Sequence, residues 1–402
     1  MNRDRLLSKV LLYSHDSYGL GHLRRNLVIA RELLAGRDRP QVVLASGSPV
    51  LSLIQLPEGL GCVELPPVTK TGPDEYRPLQ PQVSMSLVSR ARSAVLCDIV
   101  ERWRPDVLLV DHAPQGLMGE LLAVFDAIRR RSPRTAVVLG LRDILDEPAL
   151  VRSTWTRQGV YDTLASAYDE VVVYGEREVF DLTRAYELPE PLASSIEYCG
   201  YVTGVRSGPP PQQGPATREP VTRPYLFGTI GGGGDGAEVL AATARAAGAI
   251  GADAVLCTGP LMNPDDRRWL AEAIGPAPGI TVIEHVDDIG SMAAGAECVV
   301  SRGGYNTLCE LVSLEVPLVV VPRVWPRREQ LLRATAFAAR GLLTVVHPAD
   351  PELADRVEQA VKDAAGRPQD RRPLDLGGAP RVVEALRRAV AGERSRQARV
   401  SA

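Results

Sequence analysis

A histidine that follows two glycines at the end of an apolar run is placed for proton chemistry. Val10-Leu11-Leu12-Tyr13-Ser14 leads into Ser17-Tyr18-Gly19-Leu20-Gly21-His22, and helical periodicity begins there. A neutral imidazole can accept a proton near pH 7, because an ordinary histidine titrates close to the working pH. The same ring can equally cap or pack the helix. Asp111-His112 closes a second apolar run, 107–110. Three roles fit Asp111: a base in its own right, an orienting partner for His22, or a cap for the next segment. Arg24-Arg25, directly after His22, suits either a solvated helix face or contacts to an anion.

Phosphate chemistry belongs to the second half of the chain. Ser301-Arg302-Gly303-Gly304-Tyr305-Asn306-Thr307-Leu308-Cys309-Glu310 reads as strand end, glycine turn and helix start. Two adjacent glycines admit a ligand close to the backbone, and a helix N-terminus favours phosphate. Glu310 falls one and a half to two turns into that helix, within reach of a ribose diol. A packing turn would use the same glycines. A further run, 317–322, leads into Arg323 and then Arg327-Arg328-Glu329-Gln330, so two successive strand ends carry polar groups to one sheet edge. Gly231-Gly232-Gly233-Gly234-Asp235-Gly236 contains G-x-G-x-x-G after a strand. The next strand ends Cys257-Thr258-Gly259-Pro260, without the acid a dinucleotide site places there, so the glycines read as a cradle for a diphosphate or sugar. No P-loop pattern occurs. The five histidines show no metal-ligand spacing and no D-x-D follows a strand, so no metal site is expected; Asp287-Asp288 reads as a helix start.

These groups need a scaffold of buried strands. Short apolar runs at 10–14, 41–45, 62–65, 106–110, 135–139, 170–174 and 196–199, with helical stretches between several of them (86–102, 116–131), predict a doubly wound parallel sheet. Proline, glycine and polar residues at 205–224 form a linker or loop. The α/β rhythm restarts at 225 and continues through strands near 254–257, 280–284, 297–300, 317–321 and 343–346. The domains are therefore read as 1–204, 225–366 and a closing segment 367–402, with a helix at 381–390 and a frayed tail. In all, 402 residues with 45% hydrophobic and 24% charged suit two globular cores, and a net charge of −3 gives no general pull towards nucleic acid. The six cysteines are scattered and read as reduced packing residues. With no signal-peptide core and no span long enough for a bilayer, a cytoplasmic protein is expected, with peripheral membrane contact left open.

Taken together, Gly19-x-Gly21-His22, the run from Ser301 to Glu310, Pro317, Pro322 and Glu329-Gln330 resemble inverting glycosyltransferases of the GT-B fold, family 28-like and bacterial. The resemblance implies two Rossmann-like domains facing across a cleft. It gives the acceptor to the first, the donor nucleotide to the second, and packs the last helix back onto the first. It implies that Glu310 binds the ribose, Gly303 and Gly304 lie near the diphosphate, and Arg302, Asn306 and Thr307 share that donor-binding run. Gln330 and Glu329 would contact the donor sugar, His285 and Val286 the base, and Gly231, Gly232 and Gly233 the glycine loop. His22 would be the catalytic histidine, with Asp111 in reserve. Arg333 departs from the family's asparagine, and Ser17-Tyr18 from its glycine-threonine. The implied activity is metal-independent transfer from a UDP-sugar, a substrate and not a cofactor, to a small-molecule, glycan or lipid-linked hydroxyl. The loop Gly19-Leu20-Gly21-His22-Leu23-Arg24-Arg25 is also similar to that of a GT-B hydrolase that releases UDP from a nucleotide-linked deoxysugar. A non-catalytic nucleotide-sugar-binding protein is the third alternative.

Overall fold

The computed structural model describes residues 7–15, 21–49, 51, 54–70, 72, 75–204, 224–286, 289–364 and 372–400. Ser17-Tyr18-Gly19-Leu20, the linker at 205–223 and Asp287-Asp288 lie outside these described residues. The chain divides into two compact units, Met1–Thr203 with Asp375–Ala402, and Gly204–Leu374. The second break thus comes later than the 367 read from composition.

The first unit is built on strands β1 (Lys9–Ser14), β2 (Gln41–Ser46), β3 (Leu60–Glu64), β4 (Val68–Lys70), β5 (Tyr76–Pro78), β6 (Val107–Asp111), β7 (Ala136–Arg142), β8 (Glu170–Tyr174) and β9 (Glu197–Tyr198). Seven of them form one sheet in the order β3-β2-β1-β6-β7-β8-β9, and every pair is parallel. Strands covered on both faces need apolar residues at nearly every position, which is why these runs were legible without alternation. Val10, Leu11, Leu12 and Tyr13 of β1 and Val107, Leu109 and Val110 of β6 are all fully buried. The register sets Ser14 beside both Ser46 and Asp111, so the C-terminal ends of the central strands lie level.

Two helix expectations need correction. The stretch 86–102 is a helix Met85–Asp98 followed by a single wider turn of π-helix, Ile99–Trp103. The stretch 116–131 is α-helical only from Leu121 to Arg131, after a short 3-10 turn at Leu117–Gly119. Gly116, Met118 and Gly119 take left-handed backbone, which breaks the helix before Leu121 although the apolar periodicity runs through. The sequence reading also missed the hairpin of β4 and β5 and the helices Pro148–Gln158 and Val160–Ala167.

The closing helix runs Gly378–Val400, longer than the 381–390 expected, and belongs to the first unit. Val382, Ala385 and Leu386 are buried. Arg381 Nε donates to Cys199 O (2.7 Å), Arg387 Nε to Asp38 (2.5 Å) and Arg388 Nη2 to Glu170 (2.8 Å).

The second unit repeats the architecture with β10 (Tyr225–Thr229), β11 (Asp253–Cys257), β12 (Ile280–Ile283), β13 (Cys298–Ser301), β14 (Leu318–Val320) and β15 (Thr344–Val345). The order is β12-β11-β10-β13-β14-β15, again wholly parallel. One face is covered by the helices Ala237–Ile250 and Leu353–Ala364, which bring Val239, Leu240, Ala246, Val357 and Val361 into one core with Leu226 and Val300.

Candidate functional site

In each sheet the chain winds outward both ways from one point. In the first unit that point lies between β1 and β6, where the loops leaving adjacent strands diverge and make room for a ligand at the carboxyl edge. His15 directly follows β1, His22 stands in the first turn of the helix Gly21–Ala35, Asp111 ends β6, and His112 follows it. His22 Nδ1 lies 2.6 Å from Asp111 Oδ2. Arg25, one turn further along the helix, donates from Nε to Oδ1 (2.9 Å) and from Nη2 to Oδ2 (2.7 Å). Asn26 Nδ2 donates to His22 O at 3.0 Å, fixing the backbone beneath the ring.

Asp111 is fully buried, and burial alone would raise its pKa. The Arg25 guanidinium and the His22 contact outweigh that and hold the carboxyl far below the usual carboxylate range. Arg25 is also buried and packs 5.2 Å over the Tyr174 ring. Tyr174 fits only because residue 140 is glycine: a Cβ there would lie 1.7 Å from the phenol oxygen. Arg25 is therefore neither a solvated face nor a surface anion contact.

The imidazoles of His15 and His112 flank His22, with centroids at 4.7 and 5.1 Å, and Arg142 Nη2 stands 3.3 Å from His112 Nε2. His112 takes left-handed backbone (φ 68°), uncommon for a residue with a side chain. The backbone at His15 is held from below: its carbonyl accepts from Arg92 Nη2 at 3.1 Å. Arg92 is itself paired with buried Glu120, which also bonds Tyr13. His22 and Asp111 were expected from the sequence and the fold brings them together. His15, Arg92 and Glu120 were missed, since no motif marks them.

In the second unit the carboxyl edge is level as well: Thr229 stands beside Cys257 and Ser301, Cys257 beside Ile283, and Ser301 beside Val320. The segments after β10, β11, β12, β13 and β14 therefore leave from one edge, with the divergence point between β10 and β13. Gly233 (φ 86°) lies against the turn after β11, where its Cβ would come within 2.2 Å of Thr258 O. Gly231 (φ 69°) meets the same turn, since a Cβ on Gly259 would come within 2.4 Å of Gly231 O. Gly232 is open apart from Leu261.

At Gly303 a Cβ would meet Gln330 Cβ at 3.0 Å, whereas Gly304 has space around it. Gln330 Oε1 accepts from both Gly303 N and Arg323 N, each at 3.1 Å, tying two strand ends together. Gly304 starts the helix Tyr305–Val312 without a side-chain cap, the arrangement that suits an anion. Within that helix Thr307 is buried, and Asn306 and Glu310 are half-buried. Buried Glu329 accepts from Arg323 Nη2 (3.3 Å), and His285 and Val286 follow β12, exposed and half-buried respectively. Arg302 turns the other way: its guanidinium engages Glu238 (2.8 Å) and Asp235 (3.6 Å), clasping the glycine loop to the end of β13. Arg333 is fully buried, 5.4 Å over the Tyr305 ring.

The sequence of this second unit matches a known family over residues 230–374, that of the glycosyltransferase family 28 C-terminal domain. Over 338 residues the chain is 26% identical to a zeaxanthin glucosyltransferase of Pseudescherichia vulneris, covering 75% of this chain and 79% of that one. Over 99 residues it is 28% identical to the UDP-N-acetylglucosamine–N-acetylmuramyl-(pentapeptide) pyrophosphoryl-undecaprenol N-acetylglucosamine transferase of Haemophilus ducreyi, 24% of this chain and 28% of that enzyme. The solved structure of Acinetobacter baumannii MurG superposes with a TM-score of 0.57 at 13% identity, over 95% of this chain and 99% of that one. The fold is GT-B, with a parallel α/β sheet in each of two units. Among the described residues no helix is long and apolar enough to cross a membrane.

Proposed function

We propose that the chain is an inverting glycosyltransferase that moves a sugar from a UDP-sugar to a hydroxyl acceptor, with His22 as general base and without a metal ion. The observation that carries this reading is the 2.6 Å contact between His22 Nδ1 and the buried carboxylate of Asp111. An anion facing Nδ1 accepts a hydrogen bond from the ring N–H, which keeps the proton on Nδ1 and leaves the Nε2 lone pair to accept the acceptor's hydroxyl proton. As the imidazolium forms, Asp111 stabilises it. Asp111 is not itself the base, because it has no exposure and Arg25 holds both of its oxygens.

The second unit holds the donor in this proposal. Backbone N–H groups of Gly231 to Gly233 and of the Gly303-Gly304 turn, with the helix start beyond, stabilise the charge that develops on the departing diphosphate. Glu310 takes the ribose hydroxyls, His285-Val286 the uracil, and Glu329 and Gln330 the sugar. Both relatives are glycosyltransferases and the Haemophilus enzyme's name specifies a UDP-linked donor, which supports the choice of nucleotide. The acceptor is a small-molecule, glycan or lipid-linked hydroxyl, and the site of action is the cytoplasm. Fold alone does not settle activity, so the test is on the residue. His22→Ala should lower turnover by about 10² or more, the range expected for loss of a general base, while UDP affinity stays nearly intact. Wild-type turnover in that variant refutes the assignment.

A further inference from the structure

We propose that Arg25 is a positioning residue that sets the tautomer of His22 through Asp111, and that turnover depends on its two-pronged grip. This rests on the reading of His22 as the base. The grip is one-sided by geometry. Arg25 comes from the same helix as His22, one turn on, and its Nε and Nη2 cover Oδ1 and Oδ2 at 2.9 and 2.7 Å, while Nη2 also lies 3.0 Å from His22 Nδ1. Two N–H groups and one ring nitrogen thus converge on one carboxylate. As an anion it accepts a hydrogen bond from each of the three, the ring's Nδ1–H included; in that tautomer the 3.0 Å approach of Nη2 to Nδ1 is a contact between two donors that share Oδ2 and not a hydrogen bond. The other groups around it are Tyr174 from β8, His112 and His15 beside His22, and Arg142 at His112.

Without Arg25, a carboxyl with no solvent exposure favours its neutral form. A neutral acid donates its proton to Nδ1, the ring proton moves to Nε2, and the lone pair that the acceptor hydroxyl needs is gone. Lysine keeps the charge but cannot span both oxygens, so it separates charge from grip.

The experiment uses the full chain labelled with ¹⁵N-histidine, with two-bond ¹H–¹⁵N spectra recorded at about pH 8, where imidazole is neutral. The His22 signals are assigned by their loss in His22→Gln. The wild type should show His22 protonated at Nδ1. In Arg25→Gln the Nε2-protonated form should become the majority. The turnover number should fall by about 10- to 100-fold with donor KM within twofold, as expected for a misplaced catalytic group. Arg25→Lys should fall between, and decides alone if the glutamine variant does not fold. Variants that keep the Nδ1-protonated form and wild-type turnover overturn the role of Arg25. Full turnover in His22→Ala instead removes the base itself, and the tautomer result then stands apart from it.

Discussion

Asp111→Asn tests the buried half of the proposed base, and its size can be worked from the structure. The substitution keeps the shape and removes the charge. Arg25, with a side chain 1% exposed, then faces an amide whose oxygen can satisfy one prong while its NH₂ opposes the other or the imidazole. Breaking a buried ion pair from one side costs about 3–5 kcal/mol. For a unit of this size that lowers the melting midpoint by roughly 10 °C. Turnover should fall by about 10² to 10⁴, because the amide N–H favours the wrong tautomer of His22. The pH dependence carries the same signature. The folded pKa of Asp111 is depressed, so its stabilisation is fully present above the ordinary carboxylate value and is lost as pH falls through the folded pKa. The variant should lack that share of the acid destabilisation. Urea unfolding followed by fluorescence gives the stability, and UDP titration reports whether the second unit is intact. An Asp111→Asn variant as stable and as active as wild type would show that the contact carries neither function nor fold.

Three further outcomes follow from the second unit. Gly233→Ala should destabilise by about 2 kcal/mol or more, since it adds left-handed strain to a 2.2 Å clash with Thr258 O, whereas Gly232→Ala, in open space, should cost under about 1 kcal/mol; calorimetry of the pair compares them. Glu310→Ala should weaken UDP binding about tenfold, the loss of a charged hydrogen bond, with the melting midpoint nearly unchanged; unaltered affinity in a titration removes its ribose role. Turnover should survive dialysis against EDTA, and activity lost there and restored by Mg²⁺ contradicts metal independence.

The strands were legible because a parallel sheet buried on both faces demands uninterrupted apolar runs, and 10–13, 107–110 and 298–300 are of that kind. The strand ends were legible for the same reason: a run stops where polar residues begin, at Asp111 and at Ser301. Which ends meet was not legible. His22 and Asp111 are 89 residues apart, and only the pairing of β1 with β6 places them together. Arg25 was hidden behind its neighbour, since two arginines after a helix start read equally as a solvated face or as contacts to an anion until a buried carboxylate is found opposite one of them. Arg302 was read only through its place in a donor-like run, and its 2.8 Å contact with Glu238 was not legible. Periodicity alone cannot see Gly116, Met118 and Gly119 turning left-handed, which is why the third long helix was drawn too early.

The most direct test of the account is UDP release by the purified chain, measured over a panel of UDP-sugars with and without added hydroxyl acceptors. Transfer with His22 as base predicts release that depends on the acceptor, a product of inverted anomeric configuration, and loss of both in His22→Ala. UDP released at the full rate with no acceptor present would contradict transfer and make the same histidine the activator of water.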